Sequence, residues 1–287
     1  MKIMNSLGLP ETLVRAVDTR PHSGEEEISV TQLISPIQQA ILMERYFDKI
    51  EVDAVDLLWT ILGSAVHALL EKVCGEHEVC EQEVRWKPPG MATEVVGTFD
   101  ILADGVLQDY KVTSAWAIAD GVKKDWERQV RTYDFLATKS GFTVNELKIH
   151  CLLRDWSKLE ARRNTRYIQA PYAVFEVPRI PHEQTERWLI ERVALYEEYR
   201  DTSDELLPAC TEDERWHKPD RYAVVKDGSK KAYRLLRTLS EAEEMVARMT
   251  RKGKVYYVEY RPGEDTRCEH YCPVKAFCKQ YERSRNG

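Results

Sequence analysis

The stretch "GTFDILADGVLQDYKVTS", residues 97–114, places two aspartates on either side of a tight-turn signal and a lysine just beyond. Asp104-Gly105 is that signal, because both residue types tolerate the positive φ that a two-residue hairpin turn demands. With these two at the centre, Ala103 faces Val106, Leu102 faces Leu107, Ile101 faces Gln108 and Asp100 faces Asp109. Side chains alternate along a strand, so Lys111 shares a face with Asp109 and lies diagonal to Asp100. Like charges directly opposite on a sheet are unfavourable, and something must compensate them. One reading is a hairpin on a wet edge, with the acids solvated and Lys111 pairing one of them. The other is a divalent-cation site, where Mg²⁺ or Mn²⁺ takes hard oxygen ligands and removes the repulsion.

The surrounding sequence reads as mixed α and β. Upstream, "SPIQQAILMERYF" gives an apolar-periodic helix from about Pro36 to Phe47, with Ser29 or Thr31 as a cap before it. "DLLWTILGSAVHALLEKVCGEH" gives a strongly apolar helix, interrupted near Gly63, in which Val66, Leu69, Leu70 and Val73 recur at core spacing and His67 sits beside the stripe. Downstream, "DGVKKDWERQVRTYDFLATKSG" is a helix closed by Gly141, followed by strands "ELKIHCLLRDW" and "YAVFEVPRIP" and the helix "HEQTERWLIERVALYEEYR". The expected organisation is a polar lead-in over 1–27, an α/β core over 28–205 and a separate unit over 206–287. That last unit holds a hairpin about Asp227-Gly228, a helix whose Ser240 and Glu243 form a capping box, and a strand "KVYYVEYRPGED".

Bulk properties narrow the classes. A chain of 287 residues, 43% hydrophobic and 31% charged, has ample core for one large or two modest domains. No segment forms an unbroken run of about 18 apolar residues, and the N-terminus lacks the apolar stretch of a signal peptide, so a cytoplasmic protein off the membrane is expected. Seven unevenly grouped cysteines argue against a secreted disulfide scaffold. Cys74, Cys80 and Cys151 read as ordinary thiols. The net charge of −6 argues against a chain coated by nucleic acid, yet allows a local basic groove beside an acidic, metal-binding centre.

Four features fall in order along the chain: "GSAVHALLE" (63–71), Asp100, "DYK" (109–111) and "QVRTY" (129–133). The set resembles the PD-(D/E)xK nucleases, and among them the RecB-type branch. Its pattern is a helical G-[ST]-x-x-H-x-x-x-E, an Asp on one strand, [DE]-x-K on the next, then Q-x-x-x-Y on a helix. The resemblance implies a restriction-endonuclease-like core, a mixed central sheet flanked by helices. It implies a metal-dependent deoxyribonuclease, an exonuclease acting on DNA ends or single strands more than a site-specific endonuclease. His67, Asp100, Asp109 and the backbone carbonyl of Tyr110 would hold Mg²⁺ or Mn²⁺. Asp100, Asp109, Lys111, Gln129 and Tyr133 would form the catalytic set, with Lys111 on the water and the phosphate. Lys123, Lys124, Arg128 and Arg131, on or near the same helix, are candidates to hold the DNA backbone. The alternative is a catalytically silent DNA-binding or assembly module on the same fold.

The C-terminal "CEHYCPVKAFC" spaces three cysteines as C-x3-C-x5-C, which reads as metal ligation. RecB-type relatives with an iron–sulfur staple, the CRISPR-adaptation nucleases included, take a fourth Cys upstream of the motif His, where this chain has Ser35. Cys210 is the substitute, giving Cys210, Cys268, Cys272 and Cys278 as ligands of a [4Fe–4S] cluster that staples the C-terminal unit. The alternative is Zn²⁺, with His270 or Cys210 as fourth ligand. Over nearly its whole length the chain also looks like a group of phage and prophage nuclease-like proteins, in which DNA, copies of the chain itself or a recombination or replication protein would be the partners.

Overall fold

The computed structural model describes residues 1–18, 24, 26–250, 253 and 255–286, in two compact units, Met1–Pro208 and Ala209–Gly287. In the first unit the strands are β1 (Lys2–Met4), β2 (Glu27–Ser29), β3 (Glu51–Asp53), β4 (Glu78–Trp86), β5 (Glu94–Ala103), β6 (Val106–Thr113), β7 (Glu146–Leu153) and β8 (Tyr172–Glu176). Its helices are α1 (Glu11–Val17), α2 (Val30–Ile34), α3 (Ile37–Tyr46), α4 (Ala54–Lys72), α5 (Lys124–Lys139), α6 (Lys158–Arg163) and α7 (His182–Tyr199). A six-stranded mixed sheet runs β2-β5-β6-β7-β8 with β4 on β5, flanked by helices, so the fold is α/β. β6 pairs parallel to β7; β4, β5 and β6 pair antiparallel in sequence, as does β7 with β8.

The hairpin register is the one the turn signal predicts. Asp104 and Gly105 have φ of +49° and +76°, and the pairs are Ala103↔Val106, Leu102↔Leu107 and Ile101↔Gln108. Regular pairing stops there. β5 is flanked by β4 along one edge; along the other, β6 pairs with 101–103 and β2 with 94–96. Residues 97–100 lie between the ends of those two partners, and this notch contains Asp100. Gly97 is required at its floor: a Cβ there would lie 2.7 Å from both the Tyr133 ring and a Val30 methyl.

Several expectations need correction. The N-terminal segment is more than a polar lead-in. β1 pairs parallel with β3, α1 packs on α4, and Val17 is buried. Ser29 caps the separate short helix α2, through a capping box with Gln32, rather than the expected helix, since α3 starts after Pro36 with no side-chain cap. The helix expected to break near Gly63 is continuous from Ala54 to Lys72, because one glycine costs a long apolar helix only about 1 kcal/mol. Its expected core stripe is not a core: only Ala54 is buried, while Leu69 and Val73 are 60% and 64% exposed. By length and composition α4 is also apolar enough to cross a membrane, against the expectation that no segment would be. In this fold α4 packs on β4 and β6 and carries His67 to the sheet. Cys74, just past α4, and Cys80 on β4 are joined by a disulfide rather than being ordinary thiols, because the intervening turn brings their Cα atoms to 6.2 Å. Such bonds are uncommon in a reducing cytoplasm, so this one and the expected location pull in opposite directions. Cys151 is a buried thiol as expected.

The second unit contains α8 (Glu212–Arg215), β9 (His217–Lys218), β10 (Arg221–Lys226), β11 (Ala232–Leu236), α9 (Leu239–Thr250), β12 (Tyr256–Arg261), β13 (Glu264–Asp265), α10 (Thr266–His270) and α11 (Lys279–Asn286). The sheet β11-β10-β12 is covered by α9, with Val224, Ala242, Met245, Met249 and Tyr256 as its core. The capping box of α9 is Thr238 with Glu241 rather than Ser240 with Glu243. Glu241 N–H donates to Thr238 Oγ1 and Thr238 N–H to Glu241 Oε2.

Candidate metal centre at the hairpin

A two-residue hairpin alternates hydrogen-bonded and open pairs, so the turn would put Asp100 and Asp109 at an open pair; the ladder ends one pair earlier, at Ile101↔Gln108, and the strands part there. The next ladder bond would run from Tyr110 N–H to Phe99. Instead Tyr110 N–H donates to Asp100 Oδ2 at 2.5 Å, so the carboxylate enters the space between the parting strands. The N–H and C=O of one strand residue point to the same edge, so the Tyr110 carbonyl faces the notch as well. Asp100 is 7% and Asp109 1% exposed. Burial, then repulsion from Asp109, pushes the Asp100 carboxyl up to about 7, and burial also raises Asp109.

Two further ligand atoms converge on Asp100. His67 Nδ1, from α4, lies 2.8 Å from Glu81 Oε1 and 3.5 Å from Asp100 Oδ1. The bond to Glu81 raises the His67 pKa, and Asp100 adds to it. The donor atoms of His67, Glu81 and Asp100 all lie within 4.8 Å of one another, a group able to hold a metal ion. Glu81 is absent from the expected ligand set. It stands opposite Asp100 in the β4–β5 register, at the single position where that pairing lapses, with φ of +45°. A non-glycine residue in that region is strained, and strain of this kind gathers at functional sites.

Lys111 closes the other side. Its Nζ donates to Asp109 Oδ1 and to Gln129 Oε1, each at 2.9 Å, and Gln129 Nε2 donates to Tyr133 OH at 3.0 Å. Gln129 and Tyr133 are four apart on α5 and therefore share a face. Tyr133 is buried over Gly97, and burial holds its phenol above the usual range. Nζ also lies 2.9 Å from Asp109 Oδ2, but among the described residues that buried oxygen accepts no hydrogen bond. The ammonium charge at that distance offsets part of the desolvation of this buried oxygen, and a cation in the notch would add to it. The donor set, one imidazole and several carboxylate oxygens, suits Mg²⁺ or Mn²⁺.

The four candidate backbone-binding cations do not act as one group. Lys123 precedes α5, its ammonium 4.8 Å over the Trp126 ring, and burial lowers its pKa with Arg154 adding to the fall. Lys124, Arg128 and Arg131 line a different surface, between α5 and α7.

In the second unit, Cys210, Cys268, Cys272 and Cys278 lie outside the disulfide. Burial raises Cys210 to about 12 and Cys268 to about 11, and the neighbouring thiols add to both shifts. A side-chain clamp ties Cys210 to the C-terminal helix: Cys210 N–H donates to Gln280 Oε1 at 2.7 Å and Gln280 Nε2 donates to Cys210 O at 3.0 Å. Tyr281 N–H points at Cys278 Sγ, 3.5 Å away. His270 is engaged by Glu264 at 2.6 Å. Cys74, Glu78 and Cys80 also lie close together, but the Cys74–Cys80 disulfide leaves no thiolate there to hold a metal.

No family model matches the chain, and no curated protein matches it. Among solved structures it is similar to one described as the crystal structure of SSO0001, at 16% identity and a TM-score of 0.46, over 68% of this chain and 90% of that one.

Proposed function

We propose that the protein is a metal-dependent deoxyribonuclease of the PD-(D/E)xK kind, an exonuclease working on DNA ends or single strands in the cytoplasm. The observation that carries this reading is the notch. Two buried aspartates flank it, His67 and Glu81 converge on one of them, and a lysine tethered by Asp109 and Gln129 borders the other. His67, Glu81, Asp100, Asp109 and the Tyr110 carbonyl would hold Mg²⁺ or Mn²⁺. That ion supplies Lewis-acid stabilisation of the scissile phosphate and makes water more acidic.

The side chains contribute the rest. Lys111 offers its ammonium to the phosphate oxygens as negative charge develops on them, and orients the attacking water. Gln129 Oε1 accepts a hydrogen bond from the Lys111 ammonium, and Gln129 Nε2 donates to Tyr133 OH, so the ammonium is held in place before substrate arrives. Lys123, at the start of α5, would meet the strand entering the notch. The reading is tested with end-labelled single- and double-stranded DNA in Mn²⁺, Mg²⁺ or EDTA. Wild type degrades DNA with metal alone, and Asp109→Ala does not. A folded, metal-replete wild type that binds DNA without cleaving it would favour the silent binding module.

Cys210, Cys268, Cys272 and Cys278 would hold a [4Fe–4S] cluster, or Zn²⁺, as a staple of the second unit. Cys210 is favoured over His270 as the fourth ligand because Gln280 clamps its backbone while Glu264 occupies His270. Elemental analysis of anaerobically purified protein should find about four iron atoms or about one zinc per chain. Both should drop in Cys210→Ser, and a metal-free wild type would remove the proposal.

A further inference from the structure

α5 has a second face that the hairpin site does not use. Gln129 and Tyr133 turn toward Lys111, whereas positions 124, 128 and 131, spaced by four and three, share another side of the helix. There Lys124, Arg128 and Arg131 line a groove of about 440 Å³ against Trp188 and Gln184 of α7. That volume falls within the range of about 300–1,000 Å³ usual for small-ligand sites.

The groove has two chemical features. The Arg128 guanidinium lies 5.2 Å over the Trp188 ring, a pairing of planar cation and indole. Arg131 is held at the wall, its Nε donating to Pro178 O at 3.1 Å and its guanidinium 3.4 Å from Glu127. The residues lining the groove thus include three cations, Lys124, Arg128 and Arg131, and one carboxylate, Glu127, an excess of positive charge in the lining. Residues 1–208 carry 24 Lys and Arg against 35 Asp and Glu, a net of −11, so this excess runs against the charge of its own unit. Cations beside an indole match a ligand that joins phosphate to a flat ring.

We infer that the α5–α7 groove binds a nucleotide, with the base replacing the Arg128 guanidinium on the Trp188 ring and its phosphate held by Arg128, Lys124 and Arg131. The nucleotide belongs either to a DNA strand or to a free nucleoside monophosphate. Binding here needs neither metal nor turnover, so the inference stands apart from the hairpin chemistry.

The test is binding in EDTA, at low salt, of two probes: fluorescent oligothymidylate by anisotropy and thymidine monophosphate by calorimetry. Wild type binds at least one. Trp188→Ala weakens that binding about tenfold and Trp188→Phe stays within about twofold, as stacking on an aromatic face requires. Arg128→Ala lowers the slope of log affinity against log salt by about one for the oligonucleotide. Thermal melts confirm that the variants are folded. Loss of both probes in the Trp188→Ala variant assigns a mononucleotide site, and binding of the oligonucleotide alone assigns a strand site. Wild-type affinity for both probes in Trp188→Ala and Arg128→Ala, or no binding by wild type, overturns the proposal.

Discussion

Asp100→Asn makes the protein more stable at neutral pH in the presence of a chelator, and makes it less responsive to Mn²⁺. In the fold the Asp100 carboxyl is raised from 3.8 to about 7, so the folded state binds a proton that the unfolded state has released. A raised carboxyl therefore lowers stability as pH climbs from about 4 to about 7, and the penalty is largest above that window. Asparagine keeps an acceptor for Tyr110 N–H and carries no charge, so the penalty disappears. Allowing for the coupling to Asp109, the gain is about 2 kcal/mol at pH 7.5. Urea melts from pH 4.5 to 8 should show wild type weakening more steeply than the variant, whose remaining slope comes from the raised Asp109 and His67. Mn²⁺ should then raise the wild-type midpoint more than the variant's, since the variant has lost one of the carboxylates that would hold the ion. Parallel pH profiles would contradict this account of Asp100.

Lys111→Ala abolishes cleavage to the limit of detection, a loss of about 10³-fold or more in turnover, with DNA binding largely kept. Removing a preorganised cationic donor from a charge-developing phosphate has an effect of that order. The same change strips Asp109 Oδ1 of its hydrogen bond, so the chain also loses about 2 kcal/mol of stability, discounted because Lys111 is partly exposed. Gln129→Ala acts only through the lysine and should cost about tenfold in turnover with little change in KM. Single-turnover cleavage at saturating Mn²⁺ separates the two. A Lys111→Ala variant within tenfold of wild type would remove the lysine from the chemistry.

Much of the site was legible because it depends on local geometry. The Asp104-Gly105 turn sets the pairing of every residue in the hairpin, and the spacing of Gln129 and Tyr133 sets their common helix face. Glu81 was not legible. Its register on β5 is set across the connection 87–93, which carries no two-residue turn signal, and its positive φ leaves no mark in the residue type. α4 misled for a related reason: apolar residues occupy most of its circumference, so periodicity could not say which side meets the sheet. The Cys74–Cys80 bond depends on where the chain turns after α4, and the β1–β3 pairing joins segments nearly fifty residues apart. The cap of α9 differs by two residues, because Thr238 and Glu241 match the capping-box pattern as well as Ser240 and Glu243 do.

The central claim is that the notch between β5 and β6 holds a divalent cation on the carboxylates that flank it. Calorimetric titration of Mn²⁺ into EDTA-stripped wild type, Asp109→Asn and Glu81→Gln tests it most directly. The account predicts saturable binding at the wild-type notch, weakened at least tenfold in each variant. Equal binding by all three proteins would place the cation elsewhere and contradict it.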